Sequence, residues 1–124
     1  MQVEAARVLI DGPRSGISAA AAAGSSGQTG GVQVLGGEHI QLRNGAFVSI
    51  SNDAVVADPL ASQPTLLRLA APEIGLQQAV ATAASSGNVA ASNIAVDFGR
   101  LLLLDRSGIT TSANTGNGGG IRLQ

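Results

Sequence analysis

The amino-acid sequence predicts an all-β protein, a right-handed parallel β-helix of about four coils of roughly 27 residues each. Three observations predict it: short segments alternate between apolar and small polar residues, these segments recur at a regular spacing, and the 124 residues include only two aromatic ones, Phe47 and Phe98. Alternation is the two-residue period of a half-buried strand. Strands that cannot bury their apolar side alone can do so by stacking as repeats, and a narrow stacked interior excludes large rings.

The repeat is visible in the positions of its aliphatic residues. Leu67 and Ile94 are 27 positions apart, and Ile94 and Ile121 are also 27 apart. The step from Val32 to Leu67 is 35, and we assign the excess to the proline-bearing residues 59–64. Leu67, Ile94 and Ile121 are therefore expected to stack in one inward column.

Each coil is predicted to contain a short alternating strand, a second short apolar strand, a third strand of small residues, and a turn rich in Gly, Ser and Asn. The chain, residues 1–124, is one domain with coils at about 5–31, 32–65, 66–92 and 93–120 and the start of a fifth at 121–124. Within the coils, Leu42 to Val48 and Leu103 to Ile109 are both steps of six, which places the two pairs at equivalent positions.

Two alanine-rich segments allow a competing interpretation. ISAAAAAG (17–24) and LQQAVATAA (76–84) could form helices, because Ala is the best helix former, and the chain would then be an Ala-rich helical or partly disordered fragment. Both segments contain or precede Ser-Ser-Gly, and both correspond to the β-favouring GITTS (108–112) of the fourth coil. Strands are the favoured prediction.

Glycine-containing pairs and runs punctuate the strands. Asn44-Gly45 and the Gly runs at 30–31 and 118–120 supply positions where φ can be positive, so the chain can turn tightly. No polar capping element is evident at either end of the predicted solenoid. Its end strands are open edges of the type that recruit other chains, which predicts contact with neighbouring β-helix coils or self-association.

Composition excludes several classes of protein. Seven Arg residues balance eight Asp and Glu, so we expect no nucleic-acid partner. Cys is absent, which excludes disulfides and thiolate metal sites. There is no uncharged apolar run of about 18 residues that could span a membrane. The N-terminal MQVEAARVLI lacks the basic region of a secretory signal.

The sequence resembles a known family in the segment AAPEIGLQQAVATAASSGNVAASNIAVDFGRLLLLDRSGITTSANTGNGGGIRL (70–123), and QLRNGAFVSIS and GQTGGVQV look like further copies of the same repeat. The family is that of filamentous haemagglutinin-like exoproteins, the secreted partners of bacterial two-partner secretion systems. The resemblance implies a β-helix at the bacterial cell surface or outside the cell that serves adhesion or display. It also implies export by an outer-membrane two-partner secretion transporter, through a secretion domain that this sequence does not resemble. We therefore expect the chain to be a fragment of a longer precursor; the alternative is a short reading frame derived from such an exoprotein.

Few residues suggest catalytic chemistry. His39, beside Glu38, has no second His or Cys with which to bind zinc, and we interpret it as a solvated residue at a strand start. The alternative function is a fragment of a carbohydrate-active β-helix enzyme of the polysaccharide lyase or hydrolase type. It would need several carboxylates on one face within about 6–9 Å; the candidates are Asp11, Asp53, Asp58, Asp97 and Asp105, with Asp11 aligned to Asp105.

The favoured prediction is a structural segment of an adhesin rather than an enzyme, with no catalytic residue, cofactor or metal. Its partner would be a glycan or protein receptor on a host or cell surface. Binding would come from a repeated polar face, for which the candidates are Gln33, Gln41, Ser49, Ser51, Thr110 and Ser112. A basic stripe contacting a glycan or an anionic surface would form if Arg7, Arg68 and Arg122 stack.

Overall fold

The computed structural model describes residues 1–24, 30–58, 65–115 and 118–124. Residues 25–29 and 116–117, which belong to predicted turns, and residues 59–64, to which the excess spacing is assigned, lie outside the described residues. The described chain contains nine β-strands and no helix: β1 Gln2–Asp11, β2 Gly16–Ala21, β3 Val32–Arg43, β4 Phe47–Asn52, β5 Leu66–Gln77, β6 Val80–Ser85, β7 Asn93–Asp105, β8 Gly108–Ala113 and β9 Ile121–Leu123.

Two parallel sheets run the length of the molecule. The odd-numbered strands form a five-stranded sheet in the order β1-β3-β5-β7-β9, and the even-numbered strands form a four-stranded sheet in the order β2-β4-β6-β8. Every pairing is parallel, and each strand pairs with its counterpart one coil later. The chain is a β-solenoid of about four coils, which confirms the predicted parallel β-helix. Neither alanine-rich segment is helical, and most of each is strand: residues 17–21 lie in β2 and residues 80–84 in β6.

The two first strands predicted for each coil are joined into one long strand with an interruption. In β3, residues 32–35 (the first run) and residues 39–43 (the second run) each pair in register with β5, and the register shifts between the two runs. The same kind of irregularity interrupts the pairing of β1 with β3 and of β5 with β7. The predicted third strand is a separate element in the other sheet, such as β4.

The predicted inward column forms. Val32 pairs with Leu67, Leu67 with Ile94, and Ile94 with Ile121. The first three side chains are at most 1% exposed, whereas Ile121, at the open end, is 44% exposed. Burying each such aliphatic side chain contributes about 1.5–3 kcal/mol, so the ladder is a main source of stability.

Two predicted alignments are wrong. β1 pairs with β3 from Gln2 onward, so the first coil begins before residue 5, and residues 7–11 occupy the second run of the coil. Leu103 pairs with Gly75 and is 56% exposed, whereas Leu104 is the residue in the column of Leu42. Four consecutive leucines, 101–104, carry no alternation that could have set this register.

The turns between the two sheets use left-handed backbone. Asn44 has φ 57° and Gly45 φ 90°, which confirms the prediction for this pair. Gln78 and Arg106, in the next two coils, also have positive φ, at 51° and 50°. These turns stack: the Asn44 N–H donates to the carbonyl of Gln77 at 3.0 Å.

The glycine runs have a different role from the one predicted. None of the residues at 30–31 and 118–120 has φ in the left-handed region. Gly119 is instead required by close approach, because an added Cβ would overlap the carbonyl of Ser92.

The described residues on the third side of the solenoid are loop rather than strand. Ala54, Val89 and Ala91 are buried there and close the core. Asn88 holds the loops of adjacent coils together, since its side-chain amide donates to the Val56 carbonyl at 2.7 Å and accepts from the Val56 N–H at 2.9 Å.

Candidate functional site

The outer face of the four-stranded sheet carries two columns of short side chains. Alternation in β4 buries Val48 and Ile50 and turns Ser49 and Ser51 outward, and the parallel register repeats this pattern in every coil. Rungs are about 4.8 Å apart, and outward neighbours along a strand are roughly 6.6 Å apart. We call this surface the hydroxyl face; its residues are Ser18, Ala20, Ser49, Ser51, Thr82, Ala84, Thr110 and Ser112.

The hydroxyl face is uncharged. None of the four strands that form it contains an Asp, Glu, Arg or His. It therefore has no group that could transfer a proton near neutral pH, and its chemistry is hydrogen bonding and van der Waals contact.

The hydroxyls of this face form no hydrogen bonds to other described residues, whereas hydroxyls elsewhere in the molecule do. Ser85 donates to the Val89 carbonyl at 2.6 Å, and Thr111 donates to the Gly119 carbonyl at 2.8 Å. A free hydroxyl offers one donor and two acceptor lone pairs. The face thus presents a regular array of groups that can bind ligand hydroxyls or amides.

The predicted polar face is split between the two sheets. Ser49, Ser51, Thr110 and Ser112 lie together on the hydroxyl face, but Gln33 and Gln41 lie on the five-stranded sheet. Gln33 pairs with Arg68, and Gln41 lies between Leu9 and Gly75. The two glutamines therefore cannot contribute to the same binding surface.

The predicted basic stripe does not form. Arg68 and Arg122 occupy one outward column with Ala95 between them, but Arg7 is in the second run of its coil and outside that column. Asp97 lies between the two arginines, 2.7 Å from Arg68 Nε and 3.6 Å from Arg122 Nη2. Their charge is thus partly neutralised.

Arg7 is instead paired with Glu38. Its Nε donates to Glu38 Oε2 at 2.6 Å, and this hydrogen bond lowers the pKa of the Glu38 carboxyl. Both side chains are more than half exposed, so solvent screens the pair.

Asp11 and Asp105 share one column, as predicted, but they are not neighbours. Arg43 and Gln77 lie between them, which separates the two carboxylates by about 14 Å at the usual strand spacing. Asp11 accepts from Arg43 Nε at 3.0 Å and from Asn44 Nδ2 at 2.7 Å. The Asn44 hydrogen bond and then the Arg43 hydrogen bond lower the pKa of Asp11.

The other candidate carboxylates lie elsewhere. Asp53 accepts from the Ser86 hydroxyl at 2.6 Å in the loop after β4, and Asp58 is exposed in the same loop. Within the described parts of the chain, no three His, Asp or Glu side chains are grouped so as to hold a metal ion. His39 opens the second run of β3, where it is half-buried between Arg7 and Glu73.

Sequence reasoning missed a second surface feature, at Gly75. This residue faces outward in the middle of β5, beside the exposed Leu101 and Leu103 of β7. The sequence EIGLQ (73–77) could have indicated this feature, because its glycine occupies an outward-facing position of an alternating strand.

Comparisons with known proteins identify no relative of this chain. The described residues contain no helix that could cross a membrane. No protein-family model, curated protein or solved structure matches the sequence or the fold.

Proposed function

We propose that the chain is a structural β-helical segment of a secreted or cell-surface adhesin of the filamentous haemagglutinin-like type, and that the hydroxyl face is its ligand-binding surface. Export through an outer-membrane two-partner secretion transporter belongs to the same proposal and rests on the sequence resemblance. The solenoid supports it because stacked coils give a stiff, extended body on which one surface is repeated many times.

The observation that carries the binding role is the set of outward hydroxyls that form no hydrogen bond with any residue in the described part of the chain. Hydroxyls held about 4.8 Å apart by the sheet need little ordering when a ligand binds. Because the face is uncharged, it suits neutral hydroxyl-rich or amide-rich ligands such as glycans. A repeated array also allows several weak contacts along one polymer, which raises avidity without any single strong site.

The test uses the full chain and an array of immobilised neutral and acidic glycans. A triple variant, Ser49→Val, Thr82→Val and Thr110→Val, removes three hydroxyls of one column while keeping residues that favour strands. We expect it to lose binding to neutral glycans and to keep its circular dichroism spectrum. Gln2→Val with Gln33→Val, on the other sheet, is the matched control and should bind like the parent.

Two results would contradict the proposal: no binding of the parent to any glycan, or equal binding by the triple variant. Release of new reducing ends from a bound polysaccharide would favour the carbohydrate-active enzyme instead.

A further inference from the structure

Gly75 leaves a notch in the outer face of the five-stranded sheet. A Cβ added there would meet no atom within 4 Å, and the φ of Gly75 is not in the left-handed region. Neither packing nor backbone conformation within this chain therefore requires glycine at this position. Glycine inside a strand weakens the strand and often marks a place where another molecule approaches closely.

The notch lies beside two exposed leucines. It is a depression of about 290 Å³ lined mainly by His39, Gln41, Glu73, Gly75, Leu101 and Leu103. Leu101 is 50% exposed and Leu103 56% exposed, and Leu103 pairs directly with Gly75 on the next rung. A protruding apolar side chain and an empty position of the same column are thus about 4.8 Å apart.

We propose that this surface is a self-association site, in which two copies of the chain pack face to face and Leu103 of each copy enters the Gly75 notch of the other. The two-fold axis that achieves this runs parallel to β5 and β7, midway between them. This axis places β5 of one copy opposite β7 of the other. Leu103 of each copy therefore faces Gly75 of the other copy, and both contacts form at once. Such a surface is self-complementary, as a two-fold interface requires.

The charged residues on this surface are also complementary across the same two-fold axis. Arg100 precedes Leu101 in β7, and Glu73 pairs with Leu101 from β5. Within one chain Arg100 Nη2 is 3.5 Å from Glu73 Oε1. The axis brings Arg100 of one copy opposite Glu73 of the second copy, so each copy supplies a cation where the other supplies an anion.

The polar end of the surface is also complementary. Gln77 and Asp105 pair across β5 and β7, and the Asp105 carboxylate forms no ion pair with another described residue. In the dimer the Gln77 amide faces Asp105 of the second copy and can donate to it.

The association is weak because the surface is small. Two strands contribute about six side chains per copy, fewer than the roughly 20–30 residues per side of a standard interface. It does not depend on the proposed function, since the hydroxyl face lies on the other sheet.

Sedimentation velocity over a concentration series up to about 1 mM tests the proposal. We expect the parent to shift from monomer to dimer, and Leu103→Arg and Gly75→Val each to weaken dimerisation by about tenfold or more. Leu9→Arg is the matched control: Leu9 faces outward on the same sheet and is 55% exposed, but it lies two rungs from the notch. It should dimerise like the parent, and circular dichroism checks that each variant is folded.

Exchanging the charges at positions 73 and 100 tests whether the two copies pack in the proposed arrangement. Glu73→Arg and Arg100→Glu should each weaken dimerisation, because each creates two like-charge contacts, and an equimolar mixture of the two variants should restore it as a heterodimer. A parent that stays monomeric throughout would overturn the proposal. So would association that survives Leu103→Arg, which would point to the open ends of the solenoid, or a mixture that fails to associate.

Discussion

Leu67 and Ile94 lie one above the other in the interior of the solenoid, on adjacent rungs of the five-stranded sheet. Their backbones pair in parallel, and their side chains are 0% and 1% exposed. They are 27 residues apart, so the repeat length of the sequence is the length of chain needed to go once around the coil. Each inward aliphatic side chain therefore supports the coils on both sides of it.

Shortening a side chain in this inward column should lower the free energy of unfolding substantially. Leu67→Ala leaves a cavity between Val32 and Ile94, and we expect it to lower the free energy of unfolding by about 2–5 kcal/mol. Leu101→Ala, on the exposed face, should change it by about 0.5 kcal/mol or less. Urea denaturation followed by circular dichroism measures both. Equal effects of the two substitutions would show that Leu67 is not packed in the interior.

Glycines in this chain should respond in opposite ways to an added side chain. Gly75→Val should raise the free energy of unfolding of the monomer by about 0.5–1 kcal/mol, because an added Cβ meets no atom within 4 Å and valine favours strands. Gly87→Ala should lower it by about 1–3 kcal/mol, because its Cβ would overlap the carbonyl of Ala54. Thermal melts at low protein concentration compare them, and destabilisation by Gly75→Val would mean that the notch is not open.

The turn at Gln78 holds a long side chain in left-handed backbone, with φ 51°. Asn tolerates this conformation better and already occupies the corresponding turn at Asn44, with φ 57°. Gln78→Asn should therefore raise the free energy of unfolding by about 0.5–1 kcal/mol. Gln77→Asn, one residue earlier at the end of β5, is the control and should give no gain, because Asn is disfavoured in strands. A gain of the same size from both would point to a cause other than backbone conformation.

Stability should fall in acid partly through Asp11. Hydrogen bonds from Asn44 and Arg43 lower its folded-state pKa below 3.8, so its contribution is present above that value and is lost as pH falls through the folded-state pKa. The Asp11→Asn variant should therefore lose less stability than the parent between about pH 5 and pH 2. Urea denaturation at several pH values measures how steeply the free energy of unfolding falls with pH. The measurements are made at low salt, since salt screens an exposed pair.

Asp105→Asn is the control for this pH effect. Its carboxylate lies in the same column but forms no ion pair with a described residue. In this variant the free energy of unfolding should fall with decreasing pH as steeply as in the parent. An equally reduced pH dependence in both variants would exclude the Arg43 and Asn44 contacts as the cause.

The candidate binding surface was only partly predictable. Alternation in FVSISN (47–52) was enough to turn Ser49 and Ser51 to one side of a strand and Val48 and Ile50 to the other. Gln33 and Gln41 show the same alternation in their own strand. Alternation says that a residue faces outward but does not say on which sheet, so the glutamines and serines could be told apart only in three dimensions.

Alternation and spacing along the chain were enough to predict the fold class, the repeat of 27 and the inward column of Leu67, Ile94 and Ile121, because burial of aliphatic side chains permits only one face of an alternating strand to point inward. The register of the leucines at 101–104 follows only from the packing of neighbouring coils, since consecutive apolar residues are equally able to face either way until another coil packs against them. The same holds for the pairing of Arg7 with Glu38 and for the placement of the exposed Leu101 and Leu103 beside Gly75. Those features depend on which residues of neighbouring coils are brought side by side, and the pattern within a single coil does not contain that information.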